Sequence, residues 1–281
     1  MNESAPEPVP GDGKEEGGWS SPGDGSPAAW RPLVSVILPV YNGERYLAEA
    51  LESILRQRHR PLEILVVDDG STDGTDQVLE QYREVARCVR QPNRGSPAAR
   101  NVGLGQARGD VIGFLDADDL WVEDKLALQL DLLASNGGVE VVQGRTQRIE
   151  RAPGSALRPG FVPSGEPTLV PSLGSALFRK SAFELVGRLD ESQRYGDDVD
   201  WFLRAQELRV PMVSHPEVTQ FYRRHDHNIT NQRRLDQRFF MMALKKSLDR
   251  RRDQGGMPAT PMAPWFVANC QGDGAPQDAG E

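Results

Sequence analysis

Short apolar runs alternate with segments of helical periodicity through the first half of the chain. Four runs predict strands, the first of them because of its β-branched residues. They cover residues 33–38, 62–67, 87–90 and 110–115. Four segments repeat apolar residues at helical spacing, which predicts helices with one buried face. They cover residues 44–57, 78–85, 96–108 and 126–133. The third helix is expected to begin with Ser96 as its capping hydroxyl and Pro97 at its first position.

This alternation over short connections predicts an α/β fold: a doubly wound, mostly parallel sheet with helices on both faces. The pattern loosens after a strand expected at 139–142. Residues 144–172 hold several Gly and Pro and predict a long loop. Further strands and helices are expected beyond it. The strands cover 175–178, 212–215 and 218–222, and the helices cover 181–186, 198–208 and 232–252.

The two ends of the chain differ from the middle in composition. Residues 1–31 carry six Gly and five Pro, with six acidic and two basic residues. Such a segment cannot bury enough apolar surface to offset its ordering entropy, so a disordered acidic tail is expected there and a second tail at 253–281. The amphipathic helix at 231–252 mixes apolar and basic residues. Its apolar face either docks on the domain or lies on an anionic membrane surface.

Charge and cysteine content narrow the classes of partner and compartment. The net charge of −8 and the pI near 5.2 argue against nucleic acid, because phosphate binding needs a basic surface. Cys88 and Cys270 lie far apart, with neither a disulfide framework nor zinc spacing, which favours a reducing cytoplasm. The sequence shows neither a signal peptide nor a run of about 20 apolar residues that would span a membrane.

Three acidic clusters carry the candidate chemistry. Residues 66–73 read VVDDGSTD and residues 114–119 read FLDADD, each at the carboxyl end of a predicted strand, where ligands bind in such sheets. Residues 196–201 read GDDVDW at a predicted helix start. The first cluster is also typical of a turn with a helix cap, and the third of acidic residues at a helix N-terminus. The three carboxylates of the second repel one another, which favours a bound Mg²⁺ or Mn²⁺.

Taken together, these stretches resemble the family 2 glycosyltransferases with the GT-A fold. The resemblance rests on Val34-Ser-Val-Ile-Leu-Pro-Val-Tyr-Asn-Gly43, on residues 66–73, on Asn93-Arg-Gly-Ser-Pro-Ala-Ala-Arg-Asn-Val-Gly103 and on Asp116-Ala-Asp-Asp119, in that order. It covers about residues 33–230. It implies metal-assisted, inverting transfer of a sugar from a nucleoside-diphosphate sugar to an acceptor hydroxyl. A UDP-sugar is the favoured donor, and the acceptor is a glycan or a lipid-linked molecule.

The resemblance also implies a role for each segment of the chain and for individual residues. Residues 32–230 would form the transferase domain, with a nucleotide-sugar half at 32–143 and an acceptor half at 144–230. Asp198 would be the catalytic base; its neighbour Asp197 stands where the family usually has Glu. The nucleotide-sugar residues would be Pro39, Tyr41, Asn42, Asp69, Arg100 and Asp116. The metal would be held by Asp118, with Asp116, Asp119 and His225 as further candidates; a structural role for His225 is the alternative.

Two other functions are weighed against this one. A nucleotidyltransferase should show a glycine-rich loop with a basic residue directly after the first strand, where this chain reads Pro-Val-Tyr-Asn-Gly-Glu. A non-catalytic protein, either one that binds a sugar nucleotide or a scaffold, should have lost Asp118 or Asp198, and both are present. The glycines at 103, 105 and 109 resemble a dinucleotide fingerprint, but they lie in a helical region rather than after the first strand. A cytoplasmic location, or the cytoplasmic face of a membrane, is expected.

Overall fold

The computed structural model describes residues 30–151, 160–193, 195–226, 228 and 233–253, without the side chains of 233–238. The tails predicted for 1–31 and 253–281 therefore lie almost wholly outside the described residues, as does Cys270. Cys88 carries a free thiol at the surface.

The described residues from Arg31 onward belong to one compact unit in which strands and helices alternate. The strands are β1 (Val34–Val40), β2 (Leu62–Asp68), β3 (Arg87–Arg90), β4 (Val111–Phe114), β5 (Leu120–Trp121), β6 (Val141–Arg151), β7 (Phe161–Pro163), β8 (Ala176–Arg179) and β9 (Met212–Arg223). The helices are α1 (Leu47–Leu55), α2 (Thr75–Gln81), α3 (Ser96–Gln106), α4 (Lys125–Ser135), α5 (Lys180–Val186), α6 (Asp197–Glu207) and α7 (Arg233–Asp253).

The strands form one mixed sheet in the order β3-β2-β1-β4-β8-β6-β9-β5, with β7 paired to β6. The strands β3, β2, β1 and β4 run parallel, so their carboxyl ends share one edge. β8 is antiparallel to both β4 and β6, whereas β6 and β9 are parallel to each other. The first half of the sheet is thus the predicted doubly wound arrangement, and β8 joins it to a second half of mixed direction.

Two apolar cores lie on opposite faces of the sheet. Within β1, Val36 and Leu38 belong to one core while Ile37 belongs to the other, as the alternation of a strand requires. The first core includes residues of α1 and α4, and the second includes residues of α3, α5 and α6. Each fully buried Val, Ile or Leu contributes about 1.5–3 kcal/mol, so both faces stabilise the sheet.

The C-terminal helix α7 docks on the second core, which confirms one of its two interpretations. Ala243 is fully buried, and Phe240 and Leu244 pack against the core. Arg250 donates to Glu207 at 2.7 Å and to Asp200 at 3.0 Å, both carboxylates being buried in α6. Apolar packing and this buried ion pair fix α7 on α6. Contact of its outer face with a membrane stays a prediction.

Two predictions for the second half of the chain are wrong. Strand β6 runs to Arg151, and β7 follows at 161–163, so much of the expected loop at 144–172 is sheet. The expected short strands at 212–215 and 218–222 form the single strand β9, whose pairing with β6 shifts register around Arg145. The first error has a physical reason, because Gln143 and Gln147 are buried at inward positions of β6 where the pattern requires apolar residues. The second falls at Pro216 and Glu217, two exposed residues that interrupt the apolar pattern without ending the strand.

The expected cap of α3 is also wrong. Gly95 is the capping residue, at φ 91°, and Ser96 is the first helical residue with no side-chain cap bond. The glycines of the discarded dinucleotide fingerprint have packing roles instead. A Cβ on Gly103 would lie 2.4 Å from Ile37, and one on Gly109 would lie 2.5 Å from the carbonyl oxygen of Leu33. These two glycines allow close approach to β1.

Candidate active site

The loops that follow β1 and β2 are joined to each other at the carboxyl edge of the sheet. Asn42 adopts a left-handed conformation, φ 54°, which Asn tolerates better than most residues. Its backbone N–H donates to Ser71 Oγ at 2.9 Å, and its Oδ1 accepts from the Thr72 N–H at 2.8 Å. The N–H of Gly43 donates to Thr75 Oγ1 at 2.8 Å. Asn42 therefore fixes the shape of this edge.

Among the predicted nucleotide-sugar residues, some are presented to solvent and others support the loops. Tyr41 and Asn42 are exposed, whereas Pro39 is buried within β1. Asp69 is buried, and its carboxylate accepts from the backbone N–H groups of Arg94 and Gly95, each at 2.8 Å. It thereby holds the loop that leads into α3. Direct contact of these four residues with a nucleotide stays a prediction.

A buried arginine connects two of the acidic clusters. Arg100 projects from α3, and its Nη2 donates to Asp116 Oδ1 at 2.5 Å while its Nη1 donates to Asp197 Oδ2 at 2.7 Å. Burial by itself lowers the pKa of this guanidinium, but the carboxylates of Asp116 and Asp197 outweigh it, and the pKa of Arg100 is raised. Arg100 thus brings the Asp-x-Asp segment after β4 to the first turn of α6.

Asp198 lies beside this bridge, half-buried in the first turn of α6. Its Oδ1 accepts from the N–H of Val199 at 2.8 Å. Burial first, and then the charge of Asp197, raise the pKa of Asp198 to about 7, although Arg100 opposes the shift. Burial also raises the pKa of Asp197, against the effect of Arg100. A carboxyl group with a pKa near neutrality suits proton transfer at physiological pH.

Asp118 lies with His225, as the sequence predicts for two residues of one site. His225 Nε2 is 3.0 Å from Asp118 Oδ2, and Asn228 Nδ2 is 3.4 Å from the same oxygen. Asn228 also orders the segment, because its Oδ1 accepts from the N–H of His225 and its Nδ2 donates to the carbonyl of Arg223 at 3.0 Å. The ring of Tyr46 packs 4.7 Å from that of His225.

Asp119 faces a different part of the protein. Its carboxylate is buried and accepts from Gln220 Nε2 at 2.6 Å and from the N–H of Arg223 at 2.9 Å, so it ties the Asp-x-Asp segment to β9. Burial, followed by the charges of Asp118 and Asp116, raises the pKa of Asp119 well above its ordinary value. The role of Gln220 was not predicted, since a polar residue in a strand gives no signal of its partner.

Within the described ranges, no three His, Cys, Asp or Glu side chains converge into a complete metal site. Asp118 and His225 nevertheless offer two ligand groups side by side. This suits Mg²⁺ and Mn²⁺, because such cations often take one or two protein ligands and complete their shell with substrate phosphates and water. The metal roles of Asp116, Asp118, Asp119 and His225 stay predictions.

Comparison with known sequences supports the resemblance. The sequence model described as "Glycosyl transferase family 2" matches residues 35–185. An uncharacterized glycosyltransferase of Rickettsia typhi, RT0329, is 32% identical over 224 residues, covering 72% of this chain and 67% of that protein. TuaG of Bacillus subtilis, a glycosyltransferase provisionally named for teichuronic acid biosynthesis, is 43% identical over 108 residues. That match covers 37% of this chain and 43% of TuaG, so the chain spans less than half of that relative.

Comparison with solved structures confirms the predicted fold class. The mannosyltransferase PcManGT of Pyrobaculum calidifontis, in complex with GDP-Man and Mn²⁺, has a TM-score of 0.67 at 22% identity. It covers 86% of this chain, which spans 70% of that one. TarS of S. aureus, residues 1–349 in complex with UDP-GlcNAc, has a TM-score of 0.58 at 22% identity, over 71% of this chain and 60% of that one.

Proposed function

The chain belongs to glycosyl transferase family 2, and we propose that it moves a sugar from a nucleoside-diphosphate sugar to an acceptor hydroxyl with inversion at the anomeric carbon. The observation that carries this proposal is the Arg100 bridge, which joins Asp116 of the donor motif to Asp197, the neighbour of Asp198. A donor motif and a base of near-neutral pKa thereby share one site.

In the proposed reaction, the Asp198 carboxylate accepts the proton of the acceptor hydroxyl. The acceptor oxygen forms its bond to the anomeric carbon as the bond from that carbon to the diphosphate oxygen breaks. One displacement inverts the configuration, so no nucleophilic carboxylate is needed. A positioned base of this kind contributes about 10²–10⁴ in rate. Asp198 is suited to it because it keeps solvent access and is ionised above its pKa of about 7.

The donor is proposed to lie along the carboxyl edge of β1, β2 and β4. Tyr41, Asn42 and Asp69 would contact or shape the base pocket, with Pro39 supporting the first loop from within β1. Arg100 and Asp116 would orient the diphosphate and ribose. A UDP-sugar is favoured, since TarS is described with UDP-GlcNAc, and a GDP-sugar is the second choice, since PcManGT is described with GDP-Man and Mn²⁺.

A divalent cation, Mg²⁺ or Mn²⁺, is proposed to assist. When bound, it would neutralise negative charge on the departing diphosphate. Asp118 and His225 are the residues that would hold it, because they lie together at 3.0 Å and Asp118 is partly exposed. Asp116 is engaged by Arg100, and Asp119 is buried against β9, so we rank both below Asp118 as ligands.

The outer face of α7 is proposed to rest on an anionic membrane surface, which would bring a lipid-linked acceptor to the site. Met241 is 61% exposed and Leu248 is 65% exposed, and the exposed basic residues Lys245 and Arg252 share their helical face. No helix among the described residues is long and apolar enough to cross a bilayer. The protein should co-sediment with vesicles that contain phosphatidylserine. Leu248→Glu should reduce the co-sedimented fraction, whereas Leu185→Glu on α5 should leave it unchanged. Equal sedimentation of both variants would refute the contact.

Calorimetry tests the donor proposal. UDP, GDP, TDP and CDP are titrated with and without Mn²⁺ into the wild type and into Asp118→Asn. Metal-dependent binding of one diphosphate is expected, and Asp118→Asn should weaken it at least tenfold. Asp124→Asn is the matched control, since Asp124 is an exposed residue just before α4. If no diphosphate binds in the presence of metal, the donor site is wrong and the scaffold function becomes the better explanation.

A further inference from the structure

A cavity lies beside the Asp118–His225 pair, with Tyr46 between the two. The Tyr46 ring packs against His225 with 4.7 Å between ring centroids, while the guanidinium carbon of Arg223 lies 4.5 Å from the Tyr46 ring centroid. The cavity has a volume of about 260 Å³. Its walls come mainly from β5, β6, β7 and β9. The lining residues are Glu49, Leu120, Ile149, Phe161, Pro163, Phe221 and Arg223.

Arg223 is the unusual member of this lining. Its side chain is fully buried, and its guanidinium lies between two aromatic rings, 4.5 Å from the centroid of Tyr46 and 4.7 Å from that of Phe161. Nη2 donates to Glu49 Oε2 at 2.7 Å. The Nε and Nη1 groups are buried and find no hydrogen-bond partner among the described residues, and the same holds for the Tyr46 hydroxyl.

Unpaired donors at this depth are costly. A buried donor that is left unsatisfied destabilises the fold, and the effect is larger when the group is charged. If position 223 had only a structural role, an apolar residue would stabilise the fold more than an arginine does, because the two aromatic rings and Ile149 already provide apolar surroundings. The unmet donors of Arg223 therefore indicate a ligand that brings oxygen acceptors into the cavity.

The charge and shape of the cavity define the chemistry of that ligand. Glu49 already balances the positive charge of Arg223, so an uncharged ligand fits better than an anion. Phe161, Phe221 and Leu120 offer apolar surface to the C–H face of a ring. The volume is below the roughly 300–1,000 Å³ of pockets for drug-sized ligands, so a nucleotide would not fit. A pyranose ring combines small size, hydroxyl acceptors and an apolar face.

We propose that this cavity binds one uncharged pyranose unit of the acceptor, with the Nε and Nη1 groups of Arg223 donating to its hydroxyl oxygens. The inference rests on the proposed function, because only a transferase has an acceptor to bind. It is supported by the origin of the walls, since every lining residue except Glu49 and Leu120 belongs to β6, β7 or β9 in the second half of the chain. Tyr46 would lie between this sugar and the divalent cation proposed at Asp118 and His225.

Saturation-transfer NMR on the full chain tests the proposal, with the methyl glycosides of glucose, galactose, mannose and N-acetylglucosamine as probes. At least one glycoside should bind the wild type. Arg223→Met keeps the length of the side chain and removes its donors, so it should weaken binding at least tenfold. Arg224→Met is the matched control, because Arg224 is the adjacent arginine and is 45% exposed outside the cavity. Thermal melting checks that both variants are folded.

A second pair of variants leaves Arg223 in place. Pro163→Trp puts a large side chain into the lining of the cavity and should abolish glycoside binding, whereas Val162→Trp, on the opposite face of the short strand β7, should not. Absence of binding to the wild type, or binding that survives both Arg223→Met and Pro163→Trp, would overturn the proposal and assign the two donors to ordered water.

The outcomes also separate this inference from the proposed function. Wild-type protein that binds a nucleoside diphosphate but no glycoside overturns the acceptor cavity alone. Protein that binds a glycoside but no nucleotide supports the cavity and overturns the transferase proposal. Glycoside binding that UDP leaves intact supports the acceptor assignment. Displacement by a UDP-sugar, but not by UDP, would make the cavity a donor-sugar site and contradict the inference.

Discussion

The substitution Asp198→Asn should abolish transfer while making the protein more stable at alkaline pH. Asparagine keeps an Oδ1 acceptor for the N–H of Val199, which lies at 2.8 Å in the wild type, so the local geometry is retained. It cannot accept the proton of the acceptor hydroxyl. Loss of a positioned base should lower the transfer rate by about 10²–10⁴. In the wild type, kcat/KM should rise about tenfold per pH unit up to about pH 7 and then level off, because the base must be ionised.

The gain in stability follows from the same pKa. The pKa of Asp198 is about 7 in the folded protein, against an ordinary value of 3.8. Between these values the folded state binds a proton that the unfolded state has lost, so the contribution of Asp198 to stability falls as the pH rises. About three pKa units correspond to a ceiling of about 4 kcal/mol. Solvent screening of this half-buried group reduces the lost stability to roughly 1–2 kcal/mol. Asp198→Asn should restore this amount of stability and so raise Tm by about 2–8 °C at pH 8.

Thermal melting and donor turnover on the same samples check both effects, and Asp197→Asn is the matched control. Asp197 accepts from the buried Arg100 at 2.7 Å. Losing this charged partner of a buried guanidinium should outweigh the relief of the raised Asp197 pKa, so the replacement should lower Tm rather than raise it. The gain in Asp198→Asn should vanish at pH 4, where the carboxyl group of the folded wild type is protonated. The reasoning fails if Asp198→Asn keeps more than a tenth of the wild-type rate, or if its Tm at pH 8 falls as that of Asp197→Asn does.

Two further substitution pairs test the reasoning about the site and the fold. Asp119→Asn should lower the free energy of unfolding by about 1–3 kcal/mol, because its amide turns a donor toward Gln220 or the N–H of Arg223, which are themselves donors. Its nucleotide affinity, measured by calorimetry, should stay within threefold of the wild type, unlike that of Asp118→Asn. A tenfold loss of affinity in Asp119→Asn would make Asp119 a ligand instead. In denaturant titrations, Gly103→Ala should destabilise the protein by about 1–3 kcal/mol, because the new Cβ would lie 2.4 Å from Ile37. In the same helix, the Cβ of Gly105→Ala would meet only Arg188, at 3.6 Å, so this variant should be neutral or more stable by up to about 1 kcal/mol. Equal effects of the two substitutions would contradict the packing role of Gly103.

The first half of the sheet was predictable because its buried strands are nearly all apolar. β1 and β2 are buried along almost their whole length, and β-branched residues occupy four of the seven positions of β1 and three of the seven of β2. The second half was not, because its inward positions carry polar side chains. Gln143 donates to the carbonyl of Val170, and Gln147 donates to carbonyls at Ser164 and Gly165. These bonds satisfy the side chains only once distant segments have met, so hydropathy alone predicts a loop.

The same limit applies to the acidic site. Spacing places Asp116, Asp118 and Asp119 in one segment but does not tell which way each carboxylate turns. Asp119 turns inward because Gln220 and the backbone of β9 offer it donors about 100 residues further along the chain. The pairing of Arg100 with Asp197 likewise spans 97 residues. Motif order predicts the candidate site, and long-range hydrogen bonds decide which of its side chains are engaged within the protein.

The three carboxylates of this segment have three different partners. Asp116 pairs with Arg100, Asp118 lies at hydrogen-bonding distance from His225, and Asp119 accepts from donors of β9. These partners offset part of the mutual repulsion, although the charges of Asp118 and Asp116 still raise the pKa of Asp119. The proposed cation should therefore bind with the donor rather than as part of the folded core. EDTA should abolish the metal-dependent binding of the nucleoside diphosphate and leave Tm within about 1 °C. A large fall in Tm on chelation would show instead that a cation stabilises the Asp116–Asp119 segment, as the repulsion argument from the sequence alone predicts.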